Sequence, residues 1–185
     1  TGKMLGKIET ILIDKKPDVA LVEGDTNTVL AGALAASKLL IKVGHIEAGL
    51  RSFDMRMPEE KNRIIADHLS DYLFAPTTTA QKNLLNEGIN EKQIFVTGNT
   101  IVDAVAQTRD IANRKANPLR SLGLKAGEYV LATVHREENA DSRTRLEGII
   151  KGLGAVAKDS GMEVVFPMHP RTAKMISSFK VRVPH

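Results

Sequence analysis

Cysteine is absent from the 185 residues. Disulfide scaffolds, thiolate metal sites and cysteine nucleophiles are thereby excluded. Tryptophan is absent too, and aromatics make up only 4% of the chain, which weakens any reading as a base-stacking nucleic-acid platform. No Asn-x-Ser/Thr sequon occurs. No secretory leader is visible, and no apolar run approaches the ~18 residues of a membrane span. These absences point to a cytoplasmic protein with neither nucleic-acid nor membrane partners. Charge of one sign is never concentrated: 26 Lys and Arg are scattered among 22 Asp and Glu, for a net +4. That mild excess suits a small anionic ligand better than a long polyanion.

What remains is an ordinary globular balance, 42% hydrophobic and 26% charged, long enough for one medium domain or two small ones. The chain opens on "TGKMLGKIET", already inside a helical pattern and without an initiator methionine, and stops at "FKVRVPH". An internal segment of a longer protein is expected.

Apolar residues recur at helical spacing over 3–14, and 18–24 (DVALVEG) is a short apolar run of the kind that forms buried parallel strands. Thr26 is placed to cap a helix rich in Ala and Leu. A strand is expected over 42–48, then a charged loop, then a helix with Pro58 at its first position and Glu59 and Glu60 in its first turn. Strands over 72–76 and 93–98 alternate with helices over 78–88 and 100–116. Residues 112–127, basic and containing Pro and Gly, read as a linker. Beyond it come a strand over 128–135, a helix capped by Asp141 or Ser142, a strand over 162–169 and a last helix starting near Thr172. The alternation predicts an α/β fold with parallel sheets, divided into 1–116 and 117–185.

In parallel sheets, ligands bind beyond the carboxyl ends of the strands. Four predicted strands deliver ionisable groups there: Asp25; Glu47; His135 with Arg136 and Glu137; and His169 with Arg171. Each has a plainer explanation. Asp25 could be a helix cap, Arg136 and Arg171 could be surface ion pairs, and the helix dipole alone would account for Glu59. His45, inside a strand, reads as a satisfied core histidine. Glu47 sits beside Ala48 and Gly49, which let a ligand approach the backbone. Gly152-x-Gly154-x-x-Ala157 is no dinucleotide motif, because it lies inside a helix ahead of a strand. No Walker loop exists. His135 with Glu138, or His45 with Glu47, lacks zinc-binding spacing, so no metal is expected.

The segments "EGDTNTVLAGALAA", "GHIEAGLRSFDMRMPEEKNR", "LFAPTTTAQKNLLNEG", "VTGNTIVDA", "TVHREEN" and "PMHPRT" occur in this order. Together they resemble the non-hydrolysing UDP-N-acetylglucosamine 2-epimerases over almost the whole chain. The resemblance implies a GT-B-like pair of Rossmann-like domains, each only partly present. The family's N-terminal "GTRPE"-like motif and its C-terminal uridine-diphosphate region are missing. It implies no cofactor, a homodimer, and UDP-GlcNAc as substrate and as a possible allosteric activator. The chemistry implied is anti elimination of UDP to 2-acetamidoglucal, then syn re-addition with the other C2 configuration. Asp25, Glu47 and Glu59 match the family's catalytic carboxylates, and His135 matches the histidine near the diphosphate. Arg136 and His169 match positions that contact nucleotide sugar, in substrate or effector. Arg51, Arg63 and Asn99 are further substrate-binding candidates, with pairing inside its own helix as the plain alternative for Arg63. Related epimerases of UDP-2,3-diacetamido-uronic acids, hydrolysing relatives and GT-B glycosyltransferases remain open.

Overall fold

The computed structural model describes residues 1–115, 118–134 and 136–183, apart from the side chains of Asn113 and Lys115. The chain divides into two compact units, Thr1–Arg109 and Asp110–His185. The division falls inside a helix, a few residues before the boundary expected at 116.

The first unit runs α1 (Gly2–Lys15), β1 (Val19–Glu23), α2 (Asn27–Lys38), β2 (Lys42–Ile46), α3 (Pro58–Leu69), β3 (Tyr72–Ala75), α4 (Thr78–Asn86) and β4 (Ile94–Val96), then enters α5 (Thr100–Lys115). Its four strands lie in the order β1-β2-β3-β4 and every pair is parallel. All strands therefore end on one edge, where their following loops gather. Small residues let the helices approach the sheet closely. Ala33, Ala35 and Ala36 of α2 and Ala66 of α3 pack with Leu12, Val29 and Val43 in one buried cluster. A second cluster joins Ala48, Leu73, Ala75, Ala80, Leu84 and Ile94. Thr26 caps α2 as expected, its hydroxyl accepting from the Val29 amide, and Pro58 opens α3.

The loop after β2 is pinned tightly against α4. Gly49 has φ of 79°, and a Cβ there would lie 2.3 Å from the Ala80 carbonyl oxygen and 2.8 Å from Leu84 Cγ. Backbone oxygen cannot give way, and a side chain at this φ is strained as well. Gly49→Ala is expected to cost roughly 2–3 kcal/mol of stability, read as a lowered midpoint in urea unfolding. An unchanged midpoint would show that the loop can lift off α4.

The second unit contains α6 (Pro118–Ser121), β5 (Tyr129–Leu131), α7 (Glu137–Ala140), α8 (Arg143–Ser160), β6 (Glu163–Val165) and α9 (Pro170–Phe179). β5 and β6 pair in parallel, over a small core of Leu146, Ile150, Ile176 and Val181.

Several boundaries differ from the sequence reading for local reasons. The expected linker carries α6. β2 stops at Ile46 because Glu47 turns to φ of 69°. β6 is three residues long, and Pro167 just beyond it has no amide to continue a ladder. α8 is capped by Ser142 and not by Asp141. α9 starts at Pro170, earlier than expected, with the His169 ring accepting from the Arg171 amide.

Candidate active site

The carboxyl ends of β1 and β2 meet through small groups. Gly24, at φ of 81°, follows β1, and a methyl group placed on it would lie 3.6 Å from Glu47 Oε2. Asp25 is the next residue. Asp25 and Glu47 thus follow adjacent parallel strands at one edge of the sheet, the edge where ligands bind in such sheets. Their surroundings differ. Asp25 forms an ion pair with Arg63 of α3, and its carbonyl accepts from Asn62 Nδ2 at 2.9 Å. Glu47 is half-buried, and among the described residues its carboxylate has no hydrogen-bonding or ionic partner. A non-glycine residue at positive φ costs on the order of 1 kcal/mol. That strain sits on the residue whose carboxylate is left available.

Glu59 lies exposed in the first turn of α3, and its neighbour Glu60 is buried. Glu60 accepts from the amides of Ser52 at 2.9 Å and Phe53 at 2.8 Å, and Arg63 Nη1 lies 3.3 Å from it. Burial alone would raise the Glu60 carboxyl, but those two amides and the Arg63 charge hold it below its usual value. Glu60 therefore ties down the 52–53 loop and leaves Glu59 facing solvent. Arg63 bridges Asp25 and Glu60, so the pairing within its own helix is present and a second pairing is added to it.

Arg51 is turned into the protein. Its guanidinium is buried and forks onto Glu87, with Nε and Nη2 at 2.7 and 2.6 Å from the carboxylate. Nη2 also lies 2.8 Å from Asp67, and Nη1 donates to the Leu50 carbonyl. Burial opposes its charge, but the two carboxylates more than offset that and hold its pKa raised. The geometry makes Arg51 an internal strut tying the loop to α3 and to the residue after α4. Asn99 stands at the start of α5, where its Oδ1 accepts from the Ile101 amide at 2.9 Å. Beside it, Thr100 donates to Glu23 of β1 at 2.8 Å.

In the second unit, Arg136 is exposed and lies 3.6 Å from Glu138. His169 is exposed and occupied as the α9 cap. His135 lies outside the described residues. Arg171 joins α9 to α7 and to the residue after it, donating to Glu137 and to both oxygens of Asp141. Its hydrogen bonds draw the Asp141 carboxyl down. The ion-pair explanation for Arg171 is thus the one the structure displays. Thr172 is buried and donates to the Val134 carbonyl at 2.7 Å, anchoring the backbone beside the "HREEN" segment. Among the described residues no three His, Asp or Glu side chains gather to metal-binding geometry.

Residues 1–184 match the sequence profile described as UDP-N-acetylglucosamine 2-epimerase. The chain belongs to that family. Similar epimerases include the UDP-N-acetylglucosamine 2-epimerase of Methanococcus maripaludis, 52% identical over 97% of this chain and 50% of its own length. The UDP-2,3-diacetamido-2,3-dideoxy-D-glucuronate 2-epimerase of Pseudomonas aeruginosa is 45% identical over 99% of this chain and 51% of its length. The crystal structure of the Methanocaldococcus jannaschii UDP-GlcNAc 2-epimerase in complex with UDP-GlcNAc and UDP superposes with a TM-score of 0.88. It is 52% identical, with 97% of this chain and 50% of that one covered. The chain therefore spans about half the length of the curated relatives it matches. These neighbours bear out the expected α/β, GT-B-like class.

The carboxyl edge of the first sheet rests on a buried polar layer that sequence reasoning missed. Asp67, fully buried in α3, was not singled out. A signal was present. Glu60, Arg63 and Asp67 recur at i, i+3 and i+7, so an ionisable stripe occupies one helix face where an apolar one is normal.

Proposed function

We propose that the full-length protein interconverts UDP-N-acetylglucosamine and UDP-N-acetylmannosamine. The C2 proton is removed, the C1–O bond to UDP breaks, and 2-acetamidoglucal forms. UDP then adds back to C1 as a proton returns to C2 in the other configuration. The observation that carries this reading lies at the β1 and β2 ends: the Glu47 carboxylate, without a partner among the described residues, stands beside Gly24, the residue before Asp25. Proton removal from a weakly acidic carbon needs a positioned carboxylate within reach, and a second group to return the proton. Glu47, Asp25 and Glu59 form the acid/base set in this reading. Arg63 forms an ion pair with Asp25, while the Glu47 carboxylate has no hydrogen-bonding or ionic partner among the described residues. His135 assists departure of UDP, and Arg136 and His169 contact nucleotide sugar. Homodimer formation, a cytoplasmic location and UDP-GlcNAc as activator belong to the same reading and rest on the resemblance alone.

The P. aeruginosa relative supports a second reading, in which the sugar is a UDP-2,3-diacetamido-uronic acid. The same site would serve, because the reaction at C2 is the same.

Incubating the full-length protein with UDP-GlcNAc in D2O and following C2 by proton NMR tests the proposal. Deuterium at C2 in a manno product still attached to UDP is the expected result. Binding of UDP without exchange would reject UDP-GlcNAc as substrate and bring the uronic acid forward.

A further inference from the structure

Beneath the two carboxylates lies a buried pair that contacts neither of them. His45 and Asp67 are both 0% exposed. His45 Nδ1 lies 2.6 Å from Asp67 Oδ1. On the other side of the ring, Nε2 donates to the Gly24 carbonyl at 2.8 Å. Asp67 Oδ2 in turn accepts from the Gly49 amide at 3.1 Å. One chain of hydrogen bonds therefore runs from the residue before Asp25, through His45 and Asp67, to the residue two beyond Glu47. A second bond shortens the link: the Gly24 amide donates to the Ile46 carbonyl at 3.1 Å.

Gly24 and Gly49 are both at positive φ. Glu47 between them is held in a conformation that costs energy. A loop in that state stays put only if its flanks are fixed. The Gly49 carbonyl is fixed by Asn83 Nδ2 at 2.9 Å and the Ala48 amide by the Phe74 carbonyl. On the Asp25 side, the His45 ring is the side chain that reaches the Gly24 carbonyl. The carbonyl can only accept, and Nδ1 faces a carboxylate, so the ring is oriented from both ends.

We infer that His45 and Asp67 form a buried positioning pair that sets the spacing between the Asp25 and Glu47 carboxylates, without touching substrate. This inference rests on the reading of Asp25 and Glu47 as the acid/base groups. Misplacing a catalytic group by about 1 Å costs on the order of 10²-fold in rate, so a spacer acts on kcat and leaves binding alone.

The test uses the full-length enzyme with His45→Gln, Asp67→Asn and the double variant, beside Glu47→Gln. Each is checked for fold by circular dichroism and for UDP affinity by calorimetry. The expected result is a folded protein, less stable in Asp67→Asn because the pair with Arg51 is lost there, whose kcat falls by roughly 10²-fold while KM and UDP affinity stay within about threefold. Because the two residues act as one device, the double variant should be no slower than the worse single one. Single variants that keep kcat within threefold would overturn the inference. So would a kcat loss matched by an equal rise in KM, multiplicative losses in the double variant, or unfolding of both single variants. Full activity in Glu47→Gln would instead overturn the reading on which the inference rests.

Discussion

Replacing Glu47 with glutamine is expected to stop turnover while leaving the fold and UDP binding intact. The substitution keeps the size and shape of the side chain and removes its ability to hold and release a proton. General acid–base groups contribute roughly 10²–10⁴-fold to rate, so kcat should fall by about three orders of magnitude. Stability should hardly move. Among the described residues Glu47 makes no hydrogen bond or ion pair that glutamine would lose, and both residues meet the same strain at φ of 69°. Asp25→Asn should lose activity comparably, with a measurable stability cost, because Arg63 then pairs with a neutral group. This contrast separates the two carboxylates. Steady-state kinetics beside urea unfolding would read it. A Glu47→Gln enzyme within tenfold of the parent rate would remove Glu47 from the acid/base set.

Much of the first unit was legible because each helix and strand announces its period. The alanine-rich α2, the Pro58 start of α3 and the short apolar strands needed no tertiary information. The strand-end rule then puts Asp25 and Glu47 on the same sheet edge, just beyond β1 and β2. What could not be read was direction. Glu59 and Glu60 are adjacent in sequence, but a helix turns them about 100° apart. One faces solvent and the other is buried under the 52–53 loop, and only packing decides which. The packing of Arg51 was hidden for a related reason: its partners, Asp67 of α3 and Glu87 just after α4, are ones that sequence spacing does not connect to it. In the second unit the elements are short. Strands of three residues carry too little pattern to fix their ends, and α7 hides in a polar run.

The interior position of Arg51 carries the second large expectation. Arg51→Leu should destabilise the protein by about 3–5 kcal/mol, the range for removing one partner of a buried ion pair. The side chain's aliphatic volume is retained, so lost packing contributes little. The cost arises because Asp67, at 0% exposure, loses the guanidinium 2.8 Å away and stays buried without that partner. Glu87 keeps partial solvent access, and His68 lies 3.5 Å from it, so its penalty is smaller. Arg56 provides the control. It pairs with Asp54 at a similar 2.8 Å but is 91% exposed, and surface pairs of that kind contribute little. Arg56→Ala should leave the unfolding midpoint near that of the parent. Introducing Arg51→Leu into an Asp67→Asn background should cost less than it does alone, since the stranded charge is already gone. Equal costs in the two backgrounds would place the penalty in packing and not in charge. Arg51 would then be a filler of space between α3 and α4, and the buried network would begin at Asp67.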